Sequence, residues 1–225
     1  MIEKRDTPSY NQIEISLPAL PGGPSLPPFI YFDLDTRFTS AQTIRIRNLI
    51  VGVINTWLQH FQQKETCPYL SRFSSCAQKY ALHGLTPLWS DGPPVTSGIE
   101  AANLAMNALT QRFIENGADQ ANASRINCRP PERGEHYSIR AETSEWEYGV
   151  SLSVTINPQV LDNPVVANLS LIGSMFHAWL HRMGFEHPAT IYTTYFIGEA
   201  PMCIMRSFQC KNPDVSDTVF TQFFD

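Results

Sequence analysis

The sequence predicts an α+β domain. Three observations indicate this fold class. Two capping motifs each begin a run of apolar residues at helical spacing. A third apolar helix leads into a group of histidines. Between these helices, short runs of aromatic and β-branched residues are typical of strands. With 225 residues, 43% of them hydrophobic and 16% charged, the chain is long enough to bury a substantial core in one domain, or in two lobes that share a cleft.

Residues 1–28 are predicted to be an irregular lead-in, so that the domain itself spans residues 29–225. Clustered prolines and a glycine pair disfavour regular structure in this segment: Pro18, Pro21, Pro24, Pro27, Pro28, Gly22 and Gly23. We expect the lead-in to be a solvated tail.

The domain then opens with a strand and a helix. Phe29–Asp35 is aromatic and apolar and is predicted to be a strand. Thr39 and Gln42 form the pattern of a capping box, which begins a long helix. The apolar positions of this helix keep three-to-four spacing: Ile46, Ile50, Val53, Trp57 and Phe61. Residues 62–98 are predicted to be rich in loops, because four prolines interrupt them: Pro68, Pro87, Pro93 and Pro94.

A second helix and two strands follow. Ser97 and Glu100 again have capping-box spacing, and a buried stripe comes after them: Ile99, Ala102, Met106, Leu109 and Phe113. Beyond Ile126 the pattern indicates strands at 136–141 and 148–156, with residues 142–147 as the turn of a hairpin. A third helix is predicted to begin at Asn163 and Pro164, since proline is tolerated in a first helical turn. This helix is apolar, so we expect it to be buried.

The third helix ends in three of the six histidines of the protein. His177 and His181 are four residues apart and project from one helical face. Gly184 allows the backbone to turn, and the turn brings His187 back towards the other two. Three neutral imidazoles with an open fourth position are the coordination expected of one catalytic zinc ion, Zn²⁺.

This segment resembles the zinc signature of the metzincin metallopeptidases, His-Glu-x-x-His-x-x-Gly-x-x-His. The pair Gly184-Phe185 is most similar to the astacin branch of that family. Cys203-Ile204-Met205 resembles the family's Met-turn, with Met205 as the methionine under the metal and Met202 as the alternative. The resemblance implies a two-lobed, zincin-like catalytic domain. Its upper lobe, a twisted mixed sheet with long helices, would cover about 29–184, and a small irregular lower lobe about 185–225.

The second position of the signature departs from the family, because Ala178 stands where metzincins have the general-base glutamate. Loss of such a base typically costs on the order of 100- to 10,000-fold in rate. Either the chain is a natural pseudoenzyme, or a parental glutamate was changed to alanine to silence a protease. We favour the second explanation, because every other part of the signature is intact.

The resemblance also implies roles for residues outside the signature. The strand at the rim of the cleft would pair with an extended peptide, and by order along the chain it consists of Ser138, Ile139, Arg140 and Ala141. An ordinary edge strand is the alternative. Tyr192 or Tyr195 is a candidate oxyanion donor. Some metzincins use a tyrosine two residues past the Met-turn methionine as a further ligand, but here that position is Ser207.

The composition of the chain limits its possible binding partners and its possible cellular compartment. The net charge of -5 and the lack of a basic run argue against nucleic acid, and no apolar stretch is as long as a membrane span. The resemblance to metzincins implies a protein or peptide substrate, and we expect a monomer. The N-terminus lacks the apolar core of a signal peptide, yet secretion or another delivery outside the producing cell is favoured. Spacing allows Cys67–Cys76 and Cys203–Cys210 disulfides with Cys128 left over, and equally a reduced protein.

Three functions remain open from the sequence. The first is a zinc endopeptidase, present here in a silenced form. The second is a natural pseudoprotease that binds a peptide or protein through the same cleft without cutting it. The third is a protein with a structural zinc, which needs a fourth ligand such as Glu186, Glu199 or a cysteine.

Overall fold

The computed structural model describes residues 8–20, 22–67, 70–141 and 152–225. It confirms the α+β class, with a mixed five-stranded sheet and seven helices among these residues. The strands are β1 (Tyr10–Ser16), β2 (Phe29–Asp35), β3 (Ser124–Cys128), β4 (Ile139–Ala141) and β5 (Val154–Ile156). The helices are α1 (Ser40–Thr66), α2 (Arg72–Tyr80), α3 (Gly98–Ala118), α4 (Pro158–Asp162), α5 (Asn168–Arg182), α6 (Phe196–Met205) and α7 (Thr218–Thr221).

The sheet has the strand order β1-β2-β3-β5-β4. Its centre is parallel, since β2 pairs with β3 and β3 with β5 in the same direction. Both outer strands are antiparallel, with Ile13 opposite Phe32 on one side and Ile139 opposite Ile156 on the other. The turn predicted at 142–147 and the start of the predicted strand, 148–151, lie outside the described residues. Within them, β4 and β5 are shorter than the predicted strands, but they are antiparallel neighbours, as a hairpin requires.

The prediction of an irregular lead-in is wrong for Tyr10–Ser16, which forms β1. Ile13 and Ile15 alternate with the exposed Gln12 and Glu14, which is the pattern of a strand with one buried face. The clustered prolines begin only at Pro18, so they end this strand instead of preventing it.

Helices α1 and α3 form where the capping motifs predict them. At α1 the box is complete, because the Gln42 N–H donates to Thr39 Oγ1 at 3.2 Å and the Thr39 N–H donates to Gln42 Oε1 at 2.9 Å. At α3 only half of the predicted box forms: Ser97 Oγ accepts the Glu100 N–H at 3.5 Å. The Ser97 hydroxyl itself donates to Gln78 Oε1 at 2.9 Å.

The loop-rich prediction for 62–98 is wrong at two places. Helix α1 continues to Thr66, and residues 72–80 form α2, which lies between the prolines at 68 and 87. Ser71 begins α2 by accepting the Ser74 N–H at 3.0 Å, and the Ser71 N–H donates to Ser74 Oγ at 2.7 Å. This serine pair acts as a capping box without the usual glutamate or glutamine, so its pattern is harder to recognise.

The predicted start of the third helix is also wrong. Asn163 and Pro164 form a turn between α4 and α5, in which Asn163 Oδ1 accepts the Val165 N–H at 3.0 Å. Such an asparagine turn competes with helix formation, and α5 begins only at Asn168.

Helix α5 is the centre of the fold. Its residues 173–180 are all buried, as the apolar sequence predicts. The Trp179 ring stacks on Phe32 of β2 with centroids 6.2 Å apart, and its Nε1–H donates to the Leu152 carbonyl at 3.0 Å. Phe176 packs edge-on against Phe73 of α2 at 5.6 Å. Sheet and helices therefore hold α5 on several sides, and its C-terminal end has a defined position.

The cysteine pairings allowed by spacing do not form. Cys76 of α2 bonds instead to Cys203 of α6, 127 residues further along the chain. Cys67 and Cys210 are exposed free thiols, and Cys128 is free and buried. Short-range pairing fails because α2 and α6 pack together, which sequence spacing does not reveal. No helix in the described part of the chain is both long and apolar enough to cross a membrane.

Removal of the Cys76–Cys203 bond tests this long-range link. We expect the double variant Cys76→Ala/Cys203→Ala to lose about 3–5 kcal/mol of unfolding free energy, because a bond that closes a loop of this length strongly restricts the unfolded chain. Urea unfolding measures the loss. Cys67→Ala, which removes an exposed free thiol, is the control; equal stability of the two variants would contradict the assignment.

Candidate metal centre

The structure brings the three signature histidines together. His177 and His181 lie one turn apart on α5 with ring centroids 4.8 Å apart, and the His187 ring lies 5.3 Å from His177 and 5.0 Å from His181. One ring nitrogen of each lies within 4.8 Å of the other two. Among the described residues, this is the group of histidine, cysteine and acidic side chains that could hold a metal ion.

A tight turn after α5 delivers His187. The Phe185 N–H donates to the Leu180 carbonyl at 3.0 Å and the Gly184 N–H to the His181 carbonyl at 2.9 Å, the two bonds of a Schellman motif. This motif needs a left-handed residue, and Gly184 has φ +82°. Trp89 braces the turn by donating its Nε1–H to the Met183 carbonyl at 2.8 Å.

Backbone carbonyls set the tautomers of two histidines. His177 Nδ1 lies 2.8 Å from the Ile197 carbonyl oxygen, and His187 Nδ1 lies 2.8 Å from the Pro188 carbonyl oxygen. A carbonyl only accepts, so Nδ1 carries the proton in both rings. In the neutral rings each Nε2 then has a free lone pair. Both Nε2 atoms are buried without a hydrogen-bond partner, which is the arrangement of a metal-ligating imidazole.

The surroundings favour the neutral form of two of the imidazoles, those of His181 and His187. Burial, with the nearby His177, lowers the pKa of His181 to about 3. Burial also lowers the pKa of His187 below its usual range. Histidines that are neutral near pH 7 have the lone pair that metal binding requires.

Aromatic rings line one side of the histidine group. The Phe224 ring stacks on His177 with centroids 4.2 Å apart and planes 9° apart. The Tyr192 ring lies 4.8 Å from His187 and 6.0 Å from His177. The Tyr192 hydroxyl donates to the Asp225 backbone carbonyl at 2.8 Å, so it is already engaged. These rings exclude water and strengthen electrostatic interactions at the site.

A carboxylate that sequence reasoning missed lies at the same place. Asp225 Oδ1 is 3.1 Å from His177 Nε2 and 3.8 Å from His181 Nε2. Thirty-eight residues separate Asp225 from His187, and no spacing rule links them. Only the folded chain reveals their proximity.

The two tyrosine candidates differ in position. Tyr192 contacts the histidines, whereas Tyr195 packs against His83 with centroids 5.5 Å apart and caps the start of α6. Ala178 is fully buried within the main apolar core. It has no polar group, and its side chain faces other apolar residues.

The predicted methionine turn at Cys203-Ile204-Met205 is not formed, because these residues are the last turn of helix α6. Met202 and Met205 instead pack with Phe224 in a small second cluster. Since Phe224 stacks on His177, the methionines support the histidine group through one intervening ring. Helix α6 continues through this segment because all of its residues are buried and apolar apart from Glu199.

Of the residues predicted for the rim strand, Ile139, Arg140 and Ala141 form β4 at one end of the sheet, and Ser138 precedes them. Arg140 pairs with Glu135 at 3.1 Å, while Ile139 and Ala141 are buried. The position at the sheet edge fits both a rim strand and an ordinary edge strand. Its peptide-binding role stays a prediction.

The fourth ligands suggested for a structural zinc are engaged elsewhere or lie outside the group. Glu199 Oε1 accepts from Lys211 Nζ at 2.8 Å and from the Thr194 N–H at 3.1 Å. Cys203 is in the disulfide. Glu186 is not part of the metal-binding group.

Comparison of the chain with protein-family models, curated proteins and solved structures gives no match.

The Gly184 turn can be tested with a matched pair of glycine variants. A Cβ at Gly184 would lie 2.8 Å from Trp89 Cδ1, whereas one at Gly134, with φ +92°, would meet nothing within 4 Å. We expect Gly134→Ala to cost about 1 kcal/mol of unfolding free energy from backbone strain alone. Gly184→Ala should cost about 2–4 kcal/mol, because the clash adds to the strain. Equal costs in denaturant unfolding would show that Trp89 does not brace the turn.

Proposed function

We propose that this chain is a zinc protein of the metallopeptidase type, whose His177, His181 and His187 hold one Zn²⁺, and that Ala178 leaves it catalytically silent. The observation that carries the proposal is the pair of buried, unpartnered Nε2 atoms on His177 and His187, whose Nδ1 protons are already bound to carbonyls. Buried polar atoms without partners are rare, and three converging imidazole lone pairs suit a cation.

The donor set favours zinc over other divalent metals. Imidazole nitrogens suit Zn²⁺, whereas Ca²⁺ and Mg²⁺ prefer oxygen ligands. Bound zinc would lower the pKa of a coordinated water and polarise a peptide carbonyl. Peptide hydrolysis also requires a group that moves a proton from the water to the leaving amine. Alanine at 178 cannot do this.

The resemblance to metzincins supports the peptidase type. The spacing of the three histidines and the Gly184 turn agree with the family signature, and the turn is formed by hydrogen bonds within the segment itself. Under this proposal the fold is zincin-like, β4 is the strand that pairs with a peptide, and Tyr192 is the tyrosine within reach of a reacting carbonyl. Tyr192 would first have to release the Asp225 carbonyl. The disulfide Cys76–Cys203 supports an oxidising, extracellular compartment.

A second function, peptide or protein binding without cleavage, is favoured by the environment of Ala178. The side chain is enclosed in the apolar core, where the carboxylate of a glutamate would require a polar partner to offset its burial. A core adapted to alanine suits a natural pseudoprotease. A silenced protease would instead retain a path from position 178 to the metal.

The metal site can be tested by removal of one ligand. We expect the parent chain to bind one zinc per chain, and His181→Gln to weaken zinc binding by at least about 100-fold, more than loss of a supporting hydrogen bond costs. Competition with a chromophoric chelator measures the affinity. His136→Gln, which changes an exposed histidine outside the group, is the control. Equal zinc affinity of parent and His181→Gln would end the proposal.

The peptidase type can be tested by reversion at position 178. The variants Ala178→Glu and Ala178→Gln should be compared in a chain that also carries Asp225→Asn, so that the carboxylate near the histidines cannot compete with substrate. We expect Ala178→Glu to raise the rate of cleavage of a denatured protein by about 100- to 10,000-fold. Ala178→Gln has the same bulk without a base and should give no increase.

Circular dichroism and zinc content show whether each variant is folded and loaded. A folded, zinc-loaded Ala178→Glu variant that cuts nothing would contradict the silenced protease and favour the binding function.

A further inference from the structure

We infer that Asp225 supplies a fourth, carboxylate ligand to the metal, so that the segment 223–225 closes the coordination site. The inference rests on the metal site proposed above and deepens it. It makes the site a three-histidine, one-aspartate centre without a free position for water or substrate, until the segment leaves.

The contact between Asp225 and His177 requires a positive charge. His177 Nδ1 donates its proton to the Ile197 carbonyl, so in the neutral ring the Nε2 atom presents a lone pair. Asp225 Oδ1 faces that atom at 3.1 Å, and both atoms are buried without a hydrogen-bond partner. Two lone pairs at this distance repel each other unless a cation or a proton lies with them. A metal bound by both atoms resolves the contact.

The distances agree with a shared metal. In a tetrahedral site with metal–ligand bonds of about 2.0–2.1 Å, neighbouring ligand atoms lie about 3.3 Å apart. Asp225 Oδ1 is 3.1 Å from His177 Nε2 and 3.8 Å from His181 Nε2, which bracket this value. A general base would lie further away, since a metal-bound water would stand between it and the ligand atoms. Asp225 is therefore at the distance of a ligand from His177 and His181, although it is not one of the three residues whose ligand atoms all lie within 4.8 Å of one another.

The charge balance favours the same assignment. Three neutral imidazoles leave a zinc ion with its full double charge beside the rings of Phe224 and Tyr192. A charge in such surroundings is costly unless it is paired. Glu199 is bound to Lys211, so it does not supply the compensating charge. Asp225 lies against the histidines, so it supplies the compensating negative charge.

Three contacts hold the segment in place. Ser174 Oγ, on α5 one turn before His177, donates to the Phe223 carbonyl at 2.8 Å. The Phe224 ring stacks on His177, and the Tyr192 hydroxyl holds the Asp225 carbonyl. The side chains of His181 and Asp225 are 24% and 23% exposed, so both reach the solvent-facing side of the histidine group. The segment thus occupies the approach that a substrate would need.

The test compares the parent chain with Asp225→Asn after loading with Co²⁺, whose visible spectrum reports its ligands. The probe is sodium azide, an anion that binds only at an open or water-occupied position. We expect azide to leave the cobalt spectrum of the parent unchanged and to shift that of Asp225→Asn. Zinc affinity, measured by chelator competition, should fall by at least about 100-fold in Asp225→Asn, because loss of a directly bound, charged ligand costs more than loss of a supporting hydrogen bond.

Asp217→Asn is the matched control. Asp217 has a similar side-chain exposure, 25%, and binds Lys211, without touching the histidines. This variant should behave as the parent in both measurements. A shift in Asp217→Asn equal to that in Asp225→Asn would indicate general loosening of this part of the chain, and would overturn the inference.

The outcomes separate this inference from the proposed function. If parent and Asp225→Asn bind metal equally and azide shifts both spectra, the metal site stands and Asp225 is not a ligand. If neither chain binds cobalt or zinc, the metal site itself fails. If an Nε2–H signal of His177 persists in the NMR spectrum of the zinc-loaded parent, Asp225 pairs with a proton and the inference is overturned.

Discussion

Burial of helix α5 is the constraint on which both the fold and the histidine group depend. Residues 173–180 have no exposed face, and Trp179 and Phe176 join the helix to the sheet and to α2. A helix enclosed in this way cannot rotate without disrupting the core. His177 and His181 therefore have fixed directions, and the Gly184 turn adds His187 from the same rigid base.

A fixed direction alone does not make a histidine a metal ligand, because the ring nitrogen that faces the metal must also be free of a proton. The Ile197 and Pro188 carbonyls assign the Nδ1 protons of His177 and His187, and burial keeps His181 and His187 neutral near pH 7. The lone pairs left over converge beside the rings of Phe224 and Tyr192. Without a cation, this arrangement leaves the Nε2 atoms of His177 and His187 buried and without a hydrogen-bond partner. Such atoms are rare in proteins, so they are the main support for a metal site.

If the proposed metal site is correct, two independent features oppose hydrolysis there. Ala178 cannot move a proton, and Asp225, the proposed fourth ligand, lies beside His177 and His181. Alanine at position 178 is consistent with a change made to a working protease. The position of Asp225 belongs to the fold, since Ser174, His177 and Tyr192 all contact the segment 223–225. A latent peptidase and a peptide-binding pseudoprotease both agree with such closure, and they differ in what position 178 can do.

Local patterns in the sequence determined the α+β class, the caps of α1 and α3, the burial of α5 and the meeting of His177, His181 and His187. All of these depend on residues only a few positions apart, whose relative geometry a helix or a turn dictates. The same local reasoning missed β1, because prolines further along outweighed a short alternating run, and α2, whose serine cap is uncommon.

Only the tertiary structure decided the Cys76–Cys203 bond, the helical state of Met202 and Met205, and the place of Asp225 beside the histidines. The disulfide and the Asp225 contact join residues that are distant in the chain and brought together by the packing of α2, α5, α6 and the segment after α7, and burial of α6 along its whole length keeps Met202 and Met205 helical. Spacing cannot predict such contacts, because they depend on how whole elements pack and not on the period of any one of them.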